Sequence, residues 1–152
     1  MDNYNTLIAF LNLVFVVVGG VFYWWLLCVV VAHAGGWARL APKYRAAKRK
    51  TKSELLRWQS LRIGRCSYFR SASLHADSSG LYLAVGMFFR LSHPPLFIPW
   101  SAVLGMERLE LGTGNAFELT VDAFPVAVGI QVPELLAERL NLPALVDTAI
   151  AE

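Results

Sequence analysis

"LIAFLNLVFVVVGGVFYWWLLCVVVAHA", Leu7 to Ala34, contains no Asp, Glu, Lys or Arg. A bilayer core about 30 Å thick is crossed by roughly 20 helical residues at ~1.5 Å each. This run is longer, which leaves room for tilt or an interfacial end. Buried helices of soluble domains seldom stay charge-free for so long. A cleaved leader is not expected: no basic residue precedes the run, and it outlasts the apolar region of a typical signal peptide. The stretch therefore predicts a retained transmembrane helix, an anchor over residues 1–35.

Within it, Asn12, Val16, Gly19 and Tyr23 recur at helical spacing and form one stripe of small and polar groups. Such a stripe admits a neighbouring helix, and Asn12 offers a hydrogen bond across the contact. A lone helix that simply tolerates these residues is the other reading. Tyr23, Trp24 and Trp25 serve as interfacial anchors or as a bulky packing face, and Trp37 marks the headgroup level.

Charge is sharply segregated. Residues 39–65 hold ten Lys and Arg against Glu54 alone, whereas residues 66–152 hold four Arg against nine acids. A basic patch in a soluble chain would point to nucleic acid, but this one follows a span, where it orients the helix with the basic side in the cytoplasm. No nucleic-acid partner is expected. Lys43, Arg45, Lys48, Arg49, Lys50 and Lys52 are the candidates for contact with anionic lipid, at about 1 kcal/mol per near-surface charge. Their other reading is a purely topogenic one.

Residues 36–65 read as a basic juxtamembrane connector with short helices. Gly35-Gly36 interrupts the long helix, and Pro42 suits a helix start or a break. Thr51 and Glu54 have capping-box spacing, with Leu55, Leu56 and Trp58 as an apolar helical face. From Cys66 onward the period is two. Leu81, Leu83, Val85, Met87, Phe89 and Leu91 form one apolar set, and Phe117, Leu119 and Val121 another. Val126, Val128 and Ile130 suggest a further strand. "VPELLAERLNL" reads as a helix with Leu135, Leu136 and Leu140 toward the sheet. The fold class is α+β: one N-terminal transmembrane helix, then over 66–152 four to six antiparallel strands closed by a C-terminal helix. Such strands rolled around one core resemble a pleckstrin-homology-like barrel. An open α+β sheet is the competing arrangement.

"HPPLFIPW", His93 to Trp100, sits in the middle of this pattern. Its three prolines remove three backbone donors, so the segment belongs at a sheet edge. Pro94, Pro95 and Pro99 make a rigid corner, plugged by a buried Trp100.

"GWARLAPKY" at 36–44, "WQSLRIG" at 58–64, "GLYL" at 80–83 and "HPPLFIPWSAV" at 93–103 resemble stretches of a group of uncharacterised small bacterial proteins. The resemblance implies a bacterial source and a recurring cytoplasmic domain, and no activity.

Two Cys and three His offer no metal-ligand spacing, no cofactor is expected, and Cys28 and Cys66 are not expected to pair on a reducing side. Ser92-His93 and His75 with Asp77 are the only candidates for catalysis, and no familiar nucleophile or metal motif accompanies them. The expected protein is a single-pass bacterial inner-membrane protein, N-terminus outside. Its cytoplasmic domain binds a protein, either another membrane protein or a second copy, as an accessory part of a membrane complex. An anionic-lipid-binding surface module is the alternative, and an enzyme of unknown reaction the third reading.

Overall fold

Gly35 and Gly36 separate two helices. In the computed structural model, which describes residues 2–47, 55–112 and 114–150, α1 spans Asp2–Ala34 and α2 spans Trp37–Tyr44. Gly36 takes the left-handed conformation, φ +81°, that glycine adopts without steric cost. A Cβ on Gly35 would lie 3.0 Å from the Cβ of Cys66, so the break is also where the sheet comes closest. Pro42 falls inside α2 rather than at its start, and the helix ends two residues later at Tyr44. Proline lacks the N–H that would bond the Ala38 carbonyl, which weakens the last turn of this short helix.

Seven antiparallel strands follow among the described residues: β1 Leu56–Ile63, β2 Cys66–Asp77, β3 Gly80–Val85, β4 Leu96–Pro99, β5 Val103–Leu111, β6 Gly114–Val121 and β7 Val128–Pro133. Their order is β4-β3-β2-β1-β7-β6-β5, curled into a half-barrel. Two helices, α3 Glu134–Arg139 and α4 Leu142–Ile150, close the chain. Leu136, Ala137, Leu142 and Val146 from these helices are buried in the core shared with the sheet.

The alternating strands are built as the pattern requires: Leu81, Leu83 and Val85 of β3, Leu119 and Val121 of β6, and Val128, Ile130 and Val132 of β7 are all buried. The sheet has seven strands where four to six are expected, and the closing helix is divided into α3 and α4. Val126, expected on the last strand, precedes β7 and is 61% exposed. Four further expectations fail. The sheet starts at Leu56, within the stretch read as connector, and Leu56 and Trp58 lie on a strand instead of a helical face. Pairing with β2 on one side and β7 on the other overrides the local helical pattern. Thr51 and Glu54 lie outside the described residues. Second, β3 stops at Val85, and Met87–Phe89 form a 3-10 turn. Third, Leu135 is 79% exposed, because only one side of the short α3 meets the sheet. Fourth, Trp37 is buried at 1% exposure inside the domain, not placed at a headgroup level.

The proline segment lies at the edge. β4 pairs with β3 on one side, and beyond it Arg45 makes only an isolated bridge with Leu96. The Pro95 carbonyl accepts the Ala46 N–H, Pro99 ends β4 opposite Gly80, and Trp100 opens a 3-10 turn into β5. Trp100 is 4% exposed, and its indole N–H donates to the Asp77 carbonyl at 2.8 Å.

Candidate functional site

The last turns of α1 are not a free tether. Residues from Tyr4 to Leu26 are exposed on every face, but Cys28 and Ala32 are buried against the β domain. The helix is therefore long and apolar enough to cross a membrane, and its end is part of the domain. A Cβ on Gly64, in the β1–β2 turn, would meet the Gly35 carbonyl oxygen at 2.7 Å. Glycine at that turn is what lets the sheet approach the helix end so closely.

Beside this joint lies a cluster made of His93, Trp37, Tyr68 and Phe89. Ring centroids of the other three stand 5.2 to 6.0 Å from that of His93. His93 is 1% exposed, with Nδ1 3.0 Å from the Phe89 carbonyl and Nε2 2.9 Å from the Tyr68 hydroxyl. A carbonyl only accepts, so Nδ1 carries the proton. Nε2 of the neutral ring is then the acceptor and Tyr68 donates to it. Burial holds the imidazole below its ordinary range, against a smaller opposing effect of the Phe89 carbonyl. Burial likewise pushes the Tyr68 hydroxyl up. Both groups are thus neutral near pH 7. Trp37 completes the cluster by donating its indole N–H to the Pro94 carbonyl at 3.0 Å.

A pH dependence follows from His93. Its folded pKa lies below the unfolded value of about 6.5. Between the two, the unfolded chain binds more protons, so stability falls as pH drops through about 6.5 toward the folded value. Thermal unfolding of the full chain in detergent should show a midpoint that falls between about pH 7.5 and about pH 5. His93→Asn should flatten that slope. An unchanged slope in the variant contradicts the assignment.

On the other side of the loop that follows β3 is a cleft of about 560 Å³, whose walls include Arg57, Trp58, Tyr82, Phe88 and Arg90. It is built from an irregularity in β1. The register with β2 shifts between Leu56 and Gln59, and Trp58 sits at φ +58°, a conformation unusual for a bulky residue. The bulge turns the Trp58 ring outward, 65% exposed, with the Arg57 guanidinium 5.8 Å from its centroid. Tyr82 is 1% exposed, and its hydroxyl has no hydrogen-bond partner among the described residues. Aromatic rings and two guanidinium groups suit recognition more than chemistry.

The residues singled out from the sequence fall in separate places. Val16 and Tyr23 are 67% and 66% exposed, Asn12 is exposed, and the space beside Gly19 is open. Lys43 forms an ion pair with Asp122, and Arg45 is exposed at the end of α2. Lys48, Arg49, Lys50 and Lys52 lie outside the described residues. Pro94 and Pro95 carry the carbonyls that accept the Trp37 indole N–H and the N–H of Ala46, just after α2. His75 stands 3.6 Å from Asp77, but Asp77 is a turn residue whose carboxylate accepts the N–H groups of Ser79 and Gly80. No group of three metal-ligating side chains occurs among the described residues. Sequence reasoning missed the Arg57–Trp58 bulge and the burial of His93. The adjacency of His93 to two prolines hinted at a turn but not at ring partners far along the chain. No family model, curated protein or solved structure matches the chain.

Proposed function

We propose that the chain is a single-pass protein of the bacterial inner membrane, N-terminus outside. Its cytoplasmic β domain, pleckstrin-homology-like in its rolled strands and closing helices, docks a protein partner within a membrane complex. The observation that carries this reading is the Arg57–Trp58 bulge beside the cleft. Trp, Tyr and Arg dominate the energetics of protein interfaces, above all around a pocket. An exposed Trp held outward by a bulge gives little to folding and much to a contact. The partner is a membrane protein or a second copy, since the cleft is carried on a domain fixed to the helix.

Trp58→Ala should leave the melting of the full chain within about 0.5 kcal/mol, the usual range for surface sites. The same change should weaken the partner by about 2 kcal/mol or more, roughly 30-fold in affinity. Quantitative recovery of co-purifying membrane proteins in detergent, wild type against Trp58→Ala and against Leu135→Ala as a distant control, measures it. Equal recovery from all three removes the cleft as the docking site.

A further inference from the structure

The loop from Gly86 to Ser92 leaves the sheet and climbs along α1. Its side chains are the wrong ones for water: Met87, Phe88 and Leu91 expose 72%, 71% and 68% of their surface. Part of its backbone is paired within the protein. The Gly86 N–H donates to Ser71, and Phe89, Arg90 and Ser92 donate to the carbonyls of Gly86, Met87 and Phe89. The one further carbonyl between Gly86 and Phe89, that of Phe88, accepts two donors from the helix. These are the Trp24 indole N–H at 3.0 Å and the Cys28 thiol at 3.6 Å. These pairings tie the loop to α1 and leave less of its backbone dependent on water.

The helix also sets the level of the loop. At ~1.5 Å per residue, Cys28 and Trp24 stand roughly 9 and 15 Å back along α1 from Ala34. A hydrocarbon core takes roughly 20 helical residues; counted from Leu7 it ends at Leu26, beyond Trp24. The Trp24 ring lies 5.8 Å from that of Phe89, so the loop shares the level of the Tyr23-Trp24-Trp25 belt.

We propose that this loop is a second membrane-contacting element, which rests on reading α1 as the span. Met87, Phe88 and Leu91 occupy the acyl–headgroup boundary of the leaflet facing the β domain. Arg90, exposed in the same loop, extends its charge to the phosphate level, as long basic side chains do. The domain is held to the bilayer at two points, and the cleft bordered by Phe88 and Arg90 opens at the membrane surface.

The test uses the full chain in vesicles of phosphatidylethanolamine and phosphatidylglycerol, with the photoreactive residue p-benzoylphenylalanine placed singly at 17, 88, 91 or 135. Val17 lies in the middle of α1. Leu135 lies beyond the far end of β7, whose near end, Val128, rests against Gly36. Phe88 and Leu91 are exposed, so their replacement leaves the fold intact, and a melting curve verifies it. Lipid adducts at 17, 88 and 91 but not at 135 are expected on mass analysis. Adducts at 17 with none at 88 and 91, or crosslinks from 88 to protein instead of lipid, overturn the second contact while leaving the span in place. No lipid adduct at 17 removes the span and the proposal with it.

Discussion

Trp100→Ala should destabilise the β domain by about 3–5 kcal/mol, the range for deleting a large buried aromatic side chain. Trp100 begins the turn that joins β4 to β5, so it plugs the seam between the two ends of the curled sheet. Ile98 on the same face is fully buried, and α4 packs against the turn. The truncation opens a cavity at this seam and strips the Asp77 carbonyl of its indole donor. Trp100→Phe separates the two effects: most of the volume stays, and the lost hydrogen bond alone costs about 1 kcal/mol. Melting of the full chain in detergent measures both. If Trp100→Ala melts like the parent but loses a partner, the corner is a ligand clamp and not a plug.

Trp37→Ala should cost a similar amount, about 3–5 kcal/mol, for a different reason. Trp37 is the first residue of α2 and fills the space between the end of α1 and the sheet. Its ring contacts Tyr68 and His93, and its N–H holds the Pro94 carbonyl. Losing it loosens the joint that fixes the domain to the helix. Trp25, 41% exposed in α1 with its ring against Phe22, is the control: Trp25→Ala should change domain stability by no more than about 0.5 kcal/mol. Equal effects of the two variants contradict a joint centred on Trp37. His93→Ala, which a turn histidine would tolerate, should also be costly. It leaves the buried Tyr68 hydroxyl without its acceptor, a loss of about 1–3 kcal/mol before any cavity is counted.

Much of this architecture is visible in residue order alone, because two periods dominate it. The uncharged run to Ala34 becomes α1, and the alternation in 81–85 and 117–121 becomes buried strands. What sequence patterns misread are places where tertiary contacts overrule local ones. Leu56 and Trp58 carry helical spacing, yet β2 and β7 claim the backbone on both sides of β1. Met87, Phe89 and Leu91 continue an alternation that the sheet abandons at Gly86: Met87 and Leu91 turn most of their apolar surface outward, while Phe89 packs against the His93 ring. The candidate site was less legible still. The ring partners of His93 come from residues 37, 68 and 89, and no local pattern links positions so far apart. The outward turn of Trp58 depends on a bulge with a positive φ, which a strand-like run of residues does not announce.

The central claim is a single span with the β domain on its basic side. Cysteine placed singly at Asp2 or at the exposed Leu135, treated in intact cells with a membrane-impermeant maleimide, tests it most directly. The labelled position is located by mass, so the free thiols Cys28 and Cys66 do not confuse the readout. The cysteine at position 2 is expected to be labelled in intact cells and the one at 135 only after permeabilisation. Labelling at 135 with protection at 2 reverses the orientation, and equal labelling of both positions before permeabilisation contradicts the span itself.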